Sequence, residues 1–493
     1  MFKRFLFTIL LLVSYSFGIE QKINLDFDVN SILCNNADLR NLDETSYKTV
    51  EYTDDFFYLM YANITLKYFF KNGILNLYTK ISRPFFFGND EATKSYQSLI
   101  IENLYTDILI FNNFTLRAGR YKFKTFEDET IPDYVYSDTI DSISLNYSIL
   151  DIIKIKALID LFSLNSPNYA YDVKVNKGNS IQYFNGDVNI IKGGAIVNWN
   201  SKFENDFIKI INLSPYFFYS YIGAVNSEQS KTGGNEKNLK GTLGNFSDGD
   251  YLMLGGINSY LSSSFYKIGL QFAYSYGKDI KDPYTPDVNI SGFLLSGFIK
   301  LWWENFYIDL LSLYSEGGIV DKNGNWQNYG FVSMKGDRLG GYIFKDVYGI
   351  YPSGIVDYDG INFLPFERSR RASVFSFKAG AGVDKLKLIN FDTNTLFFNL
   401  YVDSWFHFDN NIANIDFSNI NSTSLEHLKR LSQFMGIEND LKVSIAINEE
   451  FEFALFGGIF WSYDFFWKYP LTSDTPLGTD LSFIIGSELK IKI

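Results

Sequence analysis

Residues 264–278 read Ser-Phe-Tyr-Lys-Ile-Gly-Leu-Gln-Phe-Ala-Tyr-Ser-Tyr-Gly-Lys and decide the fold. From Tyr266 to Tyr276 every second residue is a large apolar or aromatic one, and the residues between them are small or polar. Because successive side chains of a strand point to opposite faces, this stretch predicts a strand with one apolar face. Similar stretches recur to the end of the chain, with short and long polar connections in turn. Soluble β-sandwiches also contain such strands, but the repeated arrangement is typical of a membrane barrel.

The first 18 residues have the composition of a secretory signal. Lys3 and Arg4 precede an apolar run that ends at Val13, and Ser16-Phe17-Gly18 supplies the small residues of a cleavage site. A membrane anchor helix is the alternative, but the run is shorter than the roughly 20 residues that span a bilayer. We therefore expect a signal peptide at 1–18 and one barrel at 19–493. Loss of the signal peptide would move the formal charge of the chain from −12 to about −14.

The composition excludes several classes of protein. The single Cys34 excludes a disulfide framework, and the acidic balance argues against nucleic-acid binding. His407 and His427 are the two histidines, and neither has a second histidine or a cysteine nearby to complete a metal site. We expect structural roles for both, and we predict no catalytic, cofactor-binding or metal-binding residue. The chain is therefore not predicted to be an enzyme, although a barrel hydrolase with an essential histidine stays formally open.

Short connections between the alternating stretches predict the number of strands. They are expected at 71–73, 112–113, 150–151, 203–206, 262–264, 304–305, 385–394 and 448–450. These eight turns join 16 strands, a first strand is expected over Ile23–Val29, and a final one closes the barrel. We predict an all-β, transmembrane, antiparallel up-and-down β-barrel of about 18 strands, with short periplasmic turns and long extracellular loops. A count of 16 to 20 remains compatible, because 385–394 is not a clean turn and 317–368 has room for another hairpin.

The longer connections are predicted to face outward from the cell. They span about 33–52, 84–96, 121–137, 164–179, 223–248, 279–289, 317–368, 409–438 and 466–476. Within 409–438, Thr423 and Glu426 have capping-box spacing and Gly436 suits a helix exit, so a short helix is expected there. The loop 317–368 is our candidate for a loop folded into the pore, with an external lid as the alternative.

The last strand, within 477–493, is read from its alternation. Large apolar residues share one face from Leu481 to Ile493, with Ser487 as the exception, and Lys490 and Lys492 lie on the other. An apolar last residue resembles the assembly signal of bacterial outer-membrane proteins, although Ile493 stands where Phe is usual. Trp302 and Trp303, beside the turn 304–305, and the aromatic run 465–467 are expected at the two membrane interfaces.

The same parity predicts which charged side chains face the lumen. Asp160, Asp403, Glu452 and Glu488 are the expected inward acids, and Arg120 and Lys122 extend the basic group if the parity changes after Gly119. The predicted pore-lining residues are Arg117, Arg120, Lys80, Lys154, Lys156, Lys267, Lys300, Arg370, Lys378 and Lys442. Such a basic-leaning wall favours anionic or polyhydroxylated solutes. The alternative is generic diffusion through a lumen of mixed charge.

The segments Phe114–Phe123 and Asp138–Tyr147 carry a resemblance to a known family. A strand with Leu-x-x-Gly-Arg that enters a polar loop and returns by an Asp-rich strand resembles outer-membrane porins of Gram-negative bacteria. It is similar to the 18-stranded alginate-export-type and specific-substrate porins and to epsilonproteobacterial porins. The resemblance implies that Arg117 and Arg120 line the solute path, and that the barrel is a monomer rather than a trimer. Tyr121 departs from the family's Gln or Glu, so the resemblance names no solute.

Two functions of different class follow from these features. The first is a porin of the cell outer membrane that lets small hydrophilic solutes diffuse through a water-filled lumen, without a cofactor. Its expected partners are outer-membrane lipid, lipopolysaccharide, and the barrel-assembly machinery through 477–493. The alternative is a surface adhesin or structural barrel with a plugged lumen.

Overall fold

The computed structural model describes part of the chain. The described residues are 20–35, 56–71, 75–88, 100–111, 113–126, 128, 130–149, 152–160, 175–177, 180–182, 190–222, 250–279, 287–303, 306–320, 326–334, 336–337, 340–343, 354–355, 372–383, 397–409, 412–413, 434–446, 450–462 and 481–492. The predicted signal peptide, the loop 223–248 and the aromatic run 465–467 lie outside them.

Eighteen long strands dominate the described residues. They are β1 (Glu20–Asn35), β2 (Phe56–Lys71), β3 (Leu75–Gly88), β4 (Ile100–Phe111), β5 (Phe114–Lys124), β6 (Ser137–Ile149), β7 (Ile153–Asp160), β8 (Ile190–Lys202), β9 (Ile210–Ile222), β10 (Asp250–Ser262), β11 (Tyr266–Asp279), β12 (Val288–Trp303), β13 (Phe306–Ser315), β14 (Ala372–Val383), β15 (Phe397–Asp409), β16 (Phe434–Ala446), β17 (Phe451–Ser462) and β18 (Leu481–Lys492). Seven short strands lie in the loops, at Val175–Lys177, Ser180–Gln182, Ile319–Val320, Trp326–Asn328, Val332–Ser333, Gly354–Ile355 and Ile412–Ala413.

The long strands pair in the order of the sequence. Each one is antiparallel to the next, from β1 with β2 through to β17 with β18. The last strand also pairs with the first, from Asp26 opposite Lys492 to Asn35 opposite Phe483. The ladder therefore returns to its first strand, and every long strand has a neighbour on both sides. The predicted antiparallel up-and-down barrel of about 18 strands is confirmed.

All eight short turns fall where the sequence predicts them, because each lies between the ends of two consecutive long strands. The turn predicted near 385–394, which lacks a clear turn sequence, corresponds to the connection from Val383 to Phe397. The loop 317–368 does contain a hairpin, formed by Ile319–Val320 and Trp326–Asn328, but its strands are too short to cross a bilayer. The predicted count is therefore unchanged.

The predicted helix within 409–438 is tested at one end only. Thr423, Glu426 and His427 lie outside the described residues. The prediction that a helix ends at Gly436 is wrong, because Gly436 lies in β16, beside a register shift opposite His407 and Phe408. Across the described part of the chain, no helix is both long and apolar enough to pass through a bilayer.

The two faces of the barrel wall differ as the alternation predicts. On β11, Leu270 and Tyr274 are each 44% exposed on the outside, whereas Gln271 and Ser275 are 2% and 0% exposed on the inside. Trp303, at the short-turn end of β12, is also exposed on the outside. The outer face is thus a band of large apolar side chains, and the inner face is polar but covered.

Candidate functional site: the barrel lumen

Two segments of the long loops fold into the lumen. We call the described residues among 125–136 the inner loop and the described residues among 329–343 the inner segment. Their buried apolar side chains are Phe126, Ile131, Tyr134, Val135, Tyr136, Tyr329, Phe331, Val332, Met334 and Ile343. All but Ile343 belong to one buried cluster with inward residues of the wall. The candidate loop 317–368 therefore enters the pore in its described first part. The inner loop also enters it, which the sequence analysis did not single out.

Aromatic rings join the inner loop to one side of the wall. The Phe123, Tyr136 and Phe218 rings meet edge to face, with centroids 4.9, 5.8 and 5.4 Å apart. All three side chains are buried, on β5, the inner loop and β9 respectively. Such edge-to-face pairs contribute about 0.5–1.5 kcal/mol each beyond the burial of their area. This side of the lumen is therefore filled by protein.

The carboxylate of Asp133 holds the inner loop together. It accepts hydrogen bonds from the Thr125 amide and hydroxyl, at 2.5 and 2.6 Å, and from the amides of Val135 and Tyr136. A fifth bond, at 2.9 Å, comes from Gln271 Nε2 of the wall. Burial raises the pKa of Asp133, against the lowering effect of the bonds from Thr125 and Gln271. Five donors converge on a side chain that is 0% exposed, so the position of the loop depends on this one acceptor.

Asp337 joins the inner segment to the inner loop. Its carboxylate accepts the Asp133 amide at 2.8 Å and the Lys124 ammonium at 3.2 Å, and its own amide donates to the Asp133 carbonyl. Nearby, the Met334 amide donates to the Val135 carbonyl at 3.0 Å. The two segments therefore form one connected body inside the barrel.

Two predicted pore-lining lysines hold the tip of the inner loop. Lys267 forms an ion pair with Asp128 and donates to the Thr130 hydroxyl at 3.3 Å. Lys300 donates to the Thr130 carbonyl at 3.2 Å. Both lysines lie near the short-turn ends of their strands, so the loop reaches deep into the lumen. Burial acts to raise the pKa of Asp128, but the hydrogen bonds from Lys267 and Thr130 lower it below its usual value.

The tip contact should respond to acid. Because the pKa of Asp128 is lowered, the ion pair stabilises the folded loop at neutral pH, and this contribution is lost as the pH falls through the lowered value. We expect steady single-channel current from pH 7 to 5 and larger fluctuations below about pH 3.9. Asp128→Asn should show those fluctuations at pH 7. Asp141→Asn, on the outer face, is the matched control, and a quiet Asp128→Asn channel would contradict the role of the tip.

A row of charged side chains continues around the wall from these lysines. Directly opposed positions on consecutive strands carry Lys267, Lys300, Asp309, Lys378, Asp403 and Asp440. Lys378 Nζ lies 3.6 Å from the centroid of the Tyr401 ring, and Lys442 forms an ion pair with Glu488 at 2.8 Å. The predicted inward cations of this region are therefore matched by carboxylates or aromatic rings, and the region is not basic overall.

A second group of cations lies on β5, β7 and β8, and we call it the basic sector. It comprises Arg117, Lys154, Lys156 and Lys192. Lys154 and Lys156 share the inward face, because they oppose Asn198 and Ile196, which are buried. Lys192, which is 2% exposed and opposes Ser220, was missed from the sequence because Gly193 and Gly194 interrupt the alternation that follows it.

Arg117 is fixed in place on the inner wall. Its guanidinium donates twice to the Asp107 carboxylate, at 2.7 and 2.8 Å, and lies 4.3 and 5.2 Å from the rings of Tyr105 and Tyr121. A planar guanidinium suits both the paired carboxylate contact and the stacking. The predicted inward position of Arg117 agrees with these contacts.

Arg120 does not face the lumen, which corrects the prediction. It opposes Leu104, which is 44% exposed on the outside, and its guanidinium pairs with Asp141 at 2.6 Å. Gly119 has a φ of 122°, and an added Cβ would collide with the Leu104 carbonyl, yet the register with β6 continues through it unchanged. The parity therefore does not change at Gly119, and Arg120 and Lys122 lie on the outer face.

Replacing Arg117 by lysine tests how firmly the inner arginine is held. Arg117→Lys keeps the charge but loses the second bond to Asp107 and the flat surface that meets the two rings. We expect the free energy of unfolding to fall by about 1–2 kcal/mol, measured by urea unfolding of the barrel in detergent. Arg120→Lys, in the more exposed outer pair, is the matched control and should change it by less than about 0.5 kcal/mol. Equal losses would contradict the inner position.

Lys80 and Arg370 are the remaining predicted pore-lining residues. Lys80 opposes Lys67 and Asn103 in the register. Arg370 lies outside the described residues, as do Lys335, Arg338, Arg368 and Arg371 of the same long loop.

His407 is fully buried on the inner face of β15, where its Nε2 lies 3.5 Å from Glu438 Oε2. Within the described ranges, no group of His, Cys, Asp and Glu residues is arranged to bind a metal ion.

Comparisons with known proteins give structural similarity only. No family model and no curated protein matches the chain. Among solved structures, it is similar to the outer-membrane protein OprD from Pseudomonas aeruginosa, with 10% identity and a TM-score of 0.45 over 96% of this chain and 94% of that one. It is also similar to Pseudomonas aeruginosa OccK2 (OpdF) in complex with glucuronate, with 9% identity and a TM-score of 0.42 over 96% and 98%. A third similar structure is a BenF-like porin from Pseudomonas fluorescens Pf-5, with 9% identity and a TM-score of 0.43 over 96% of this chain and 98% of that one. At this level of similarity, proposals for this chain depend on its own residues.

Proposed function

We propose that the protein is a porin of the cell outer membrane, through which small hydrophilic solutes diffuse passively. One observation carries the proposal: eighteen strands pair in a ring whose outer face is apolar and whose inner face carries charged side chains. Barrels of 16–18 strands enclose an aqueous channel, whereas eight-stranded ones are filled by side chains. No covalent chemistry is required of the wall, and lipid and lipopolysaccharide are the surroundings that the outer face suits.

The arrangement of charge supports a preference among solutes. β16 is the ninth strand after β7 of the basic sector, so the two lie on opposite sides of an 18-strand ring. β16 carries Glu438 and Asp440, and Asp403 of β15 adjoins them. The carboxylates on that side are buried, whereas Lys154 of the basic sector is exposed, so cations are the charges that a solute meets first. We propose anionic or polyhydroxylated solutes, guided by the basic sector.

Reconstitution in a planar bilayer tests the proposal. The refolded barrel should give stable conductance steps, and a potassium chloride gradient should give a reversal potential on the anion side. Liposomes that contain the barrel should swell faster in glucuronate, an anionic polyhydroxylated probe, than in a neutral sugar of equal size. A folded barrel that gives no conductance would contradict the porin proposal. Cation selectivity would contradict only the preferred solute class.

The second candidate is a surface adhesin or structural barrel with a plugged lumen. The aromatic contacts of Phe123, Tyr136 and Phe218 favour it, since they fill one side of the lumen with protein. The charged row favours the porin, because a sealed interior has no need for so many ionisable side chains. Absence of conductance from a correctly folded barrel is the result that the adhesin predicts.

Three further parts of the proposal concern the ends of the chain and its assembly. We propose cleavage after Gly18, which N-terminal sequencing of the exported protein tests. We propose that 477–493 directs insertion, and removal of its last three residues should lower the folded fraction on a gel run without heating. A monomer is proposed, and the mass of the detergent-solubilised barrel tests it.

A further inference from the structure

The end of the inner segment is fixed to two buried carboxylates of β16. The Tyr342 amide donates to Asp440 Oδ2 at 3.2 Å, and the Ile343 amide donates to Glu438 Oε1 at 2.5 Å. Glu438 is 0% and Asp440 3% exposed. Gly341 lies against both carboxylates, and a Cβ at that position would collide with Asp440. The absence of a side chain at Gly341 therefore lets the backbone approach closely enough for both bonds.

Several acidic side chains lie close together around this contact. Asp403 directly opposes Asp440 and is 7% exposed, so three carboxylates share one buried patch. His407 Nε2 lies 3.5 Å from Glu438 Oε2. Three buried carboxylates cannot all be ionised cheaply, because like charges close together in a poorly hydrated site favour retention of protons.

The other described charged groups nearby are largely occupied. Lys378 opposes both Asp403 and Asp309 in the register and lies over the Tyr401 ring. Lys442 pairs with Glu488, which also pairs with Lys490 at 2.7 Å. The hydroxyls of Tyr342 and Tyr401 bond to each other at 2.6 Å. Lys378 is thus the one lysine directly opposite a member of the acidic patch, and its charge is shared with Asp309.

We infer that Glu438, Asp440 and Asp403 form a pH-responsive latch that holds the end of the inner segment in the lumen. While the patch retains protons, its oxygens accept the Tyr342 and Ile343 amides without mutual repulsion. As the pH rises and those protons leave, repulsion among the carboxylates separates them and frees the segment. If the protein is a porin, as proposed above, release of the segment widens the path of the solute. The latch itself does not depend on that proposed function.

Cysteine protection measures the latch without any need for conduction. Ile343→Cys, in a Cys34→Ser background, places a thiol at a side chain that is 0% exposed. Its rate of reaction with a membrane-impermeant thiol reagent is divided by that of free cysteine at the same pH, between pH 6 and 9.5. We expect protection to fall at least tenfold over this range. Val135→Cys, equally buried but on the inner loop, is the matched control and should stay protected.

Variants that keep the hydrogen-bond acceptors but remove the charges complete the test. With Glu438→Gln and Asp440→Asn, protection at position 343 should no longer depend on pH. Protection that is constant with the original carboxylates would overturn the inference, and so would an unchanged pH dependence in the double variant. If the double variant does not fold on an unheated gel, Glu438→Gln alone should move the loss of protection to higher pH, and an unmoved midpoint would overturn the inference. Conductance is recorded separately, so a silent barrel counts against the porin and not against the latch.

Discussion

Asp133→Ala should convert the barrel into a wider and noisier channel, with single-channel conductance raised several-fold. The substitution leaves five donors of Thr125, Val135, Tyr136 and Gln271 without their acceptor. A buried donor left unsatisfied costs about 1–3 kcal/mol, so the loss exceeds what the loop gains from any single ring contact. The inner loop should leave its position, and Asp337 should lose its partner amide with it. Planar-bilayer recording measures the conductance.

Trypsin provides an independent measure of the same change. Lys124, at the start of the inner loop, is bonded to Asp337 and to the Ile131 carbonyl, so cleavage after it should be slow in the parent barrel and fast in Asp133→Ala. Asp141→Ala is the matched control, because it removes a carboxylate from the outer face of the adjacent strand. Unchanged conductance together with unchanged cleavage would show that other contacts fix the loop.

The double substitution Lys154→Glu/Lys156→Glu should reverse the ion selectivity of the channel. It changes the basic sector by four units of charge on the inner face of β7, where Lys154 is exposed and Lys156 lies 4.6 Å from the Phe123 ring centroid. We expect the reversal potential in a salt gradient to change sign, toward cations. The effect should be largest at 0.1 M salt and small at 1 M, because the screening length falls from about 10 to 3 Å.

A matched control separates the position of the charge from its amount. Arg120→Glu/Lys122→Glu changes the charge equally on the outer face of β5. That variant should keep the parent selectivity. If both double variants shift the reversal potential alike, the selectivity would depend on the total charge of the protein and the basic sector would have no special role.

The turns and strands follow from short-range chemistry, and for this reason they were predictable. Asn112-Asn113 and Glu304-Asn305 interrupt alternating stretches at the positions where the chain must reverse, and both turns fall at those positions. The alternation of apolar and polar residues along a strand, together with the distance in sequence from one turn to the next, is enough to count strands. The basic residues Lys154 and Lys267 were placed inward on the same grounds.

The direction of a loop depends on contacts between residues far apart in the sequence, and the sequence alone did not provide it. Yet Phe126, Ile131 and Tyr134–Tyr136 are unusually apolar for a water-exposed loop, and this signal identifies the inner loop in retrospect. Arg120 was misplaced for a different reason. The prediction placed a change of parity after Gly119, whereas the pairing of β5 with β6 passes through this glycine, despite its positive φ, without a shift.

The pairing of β1 with β18 has a consequence for biosynthesis. The seam joins the two ends of the sheet in sequence, so it cannot form before the final strand has been synthesised. Until then the sheet has two unpaired edges, which are templates for aggregation. Contacts between such distant residues also form slowly. A premature stop codon anywhere before Leu481 therefore leaves both edges of the sheet unpaired for good, because β18 is the strand that β1 pairs with.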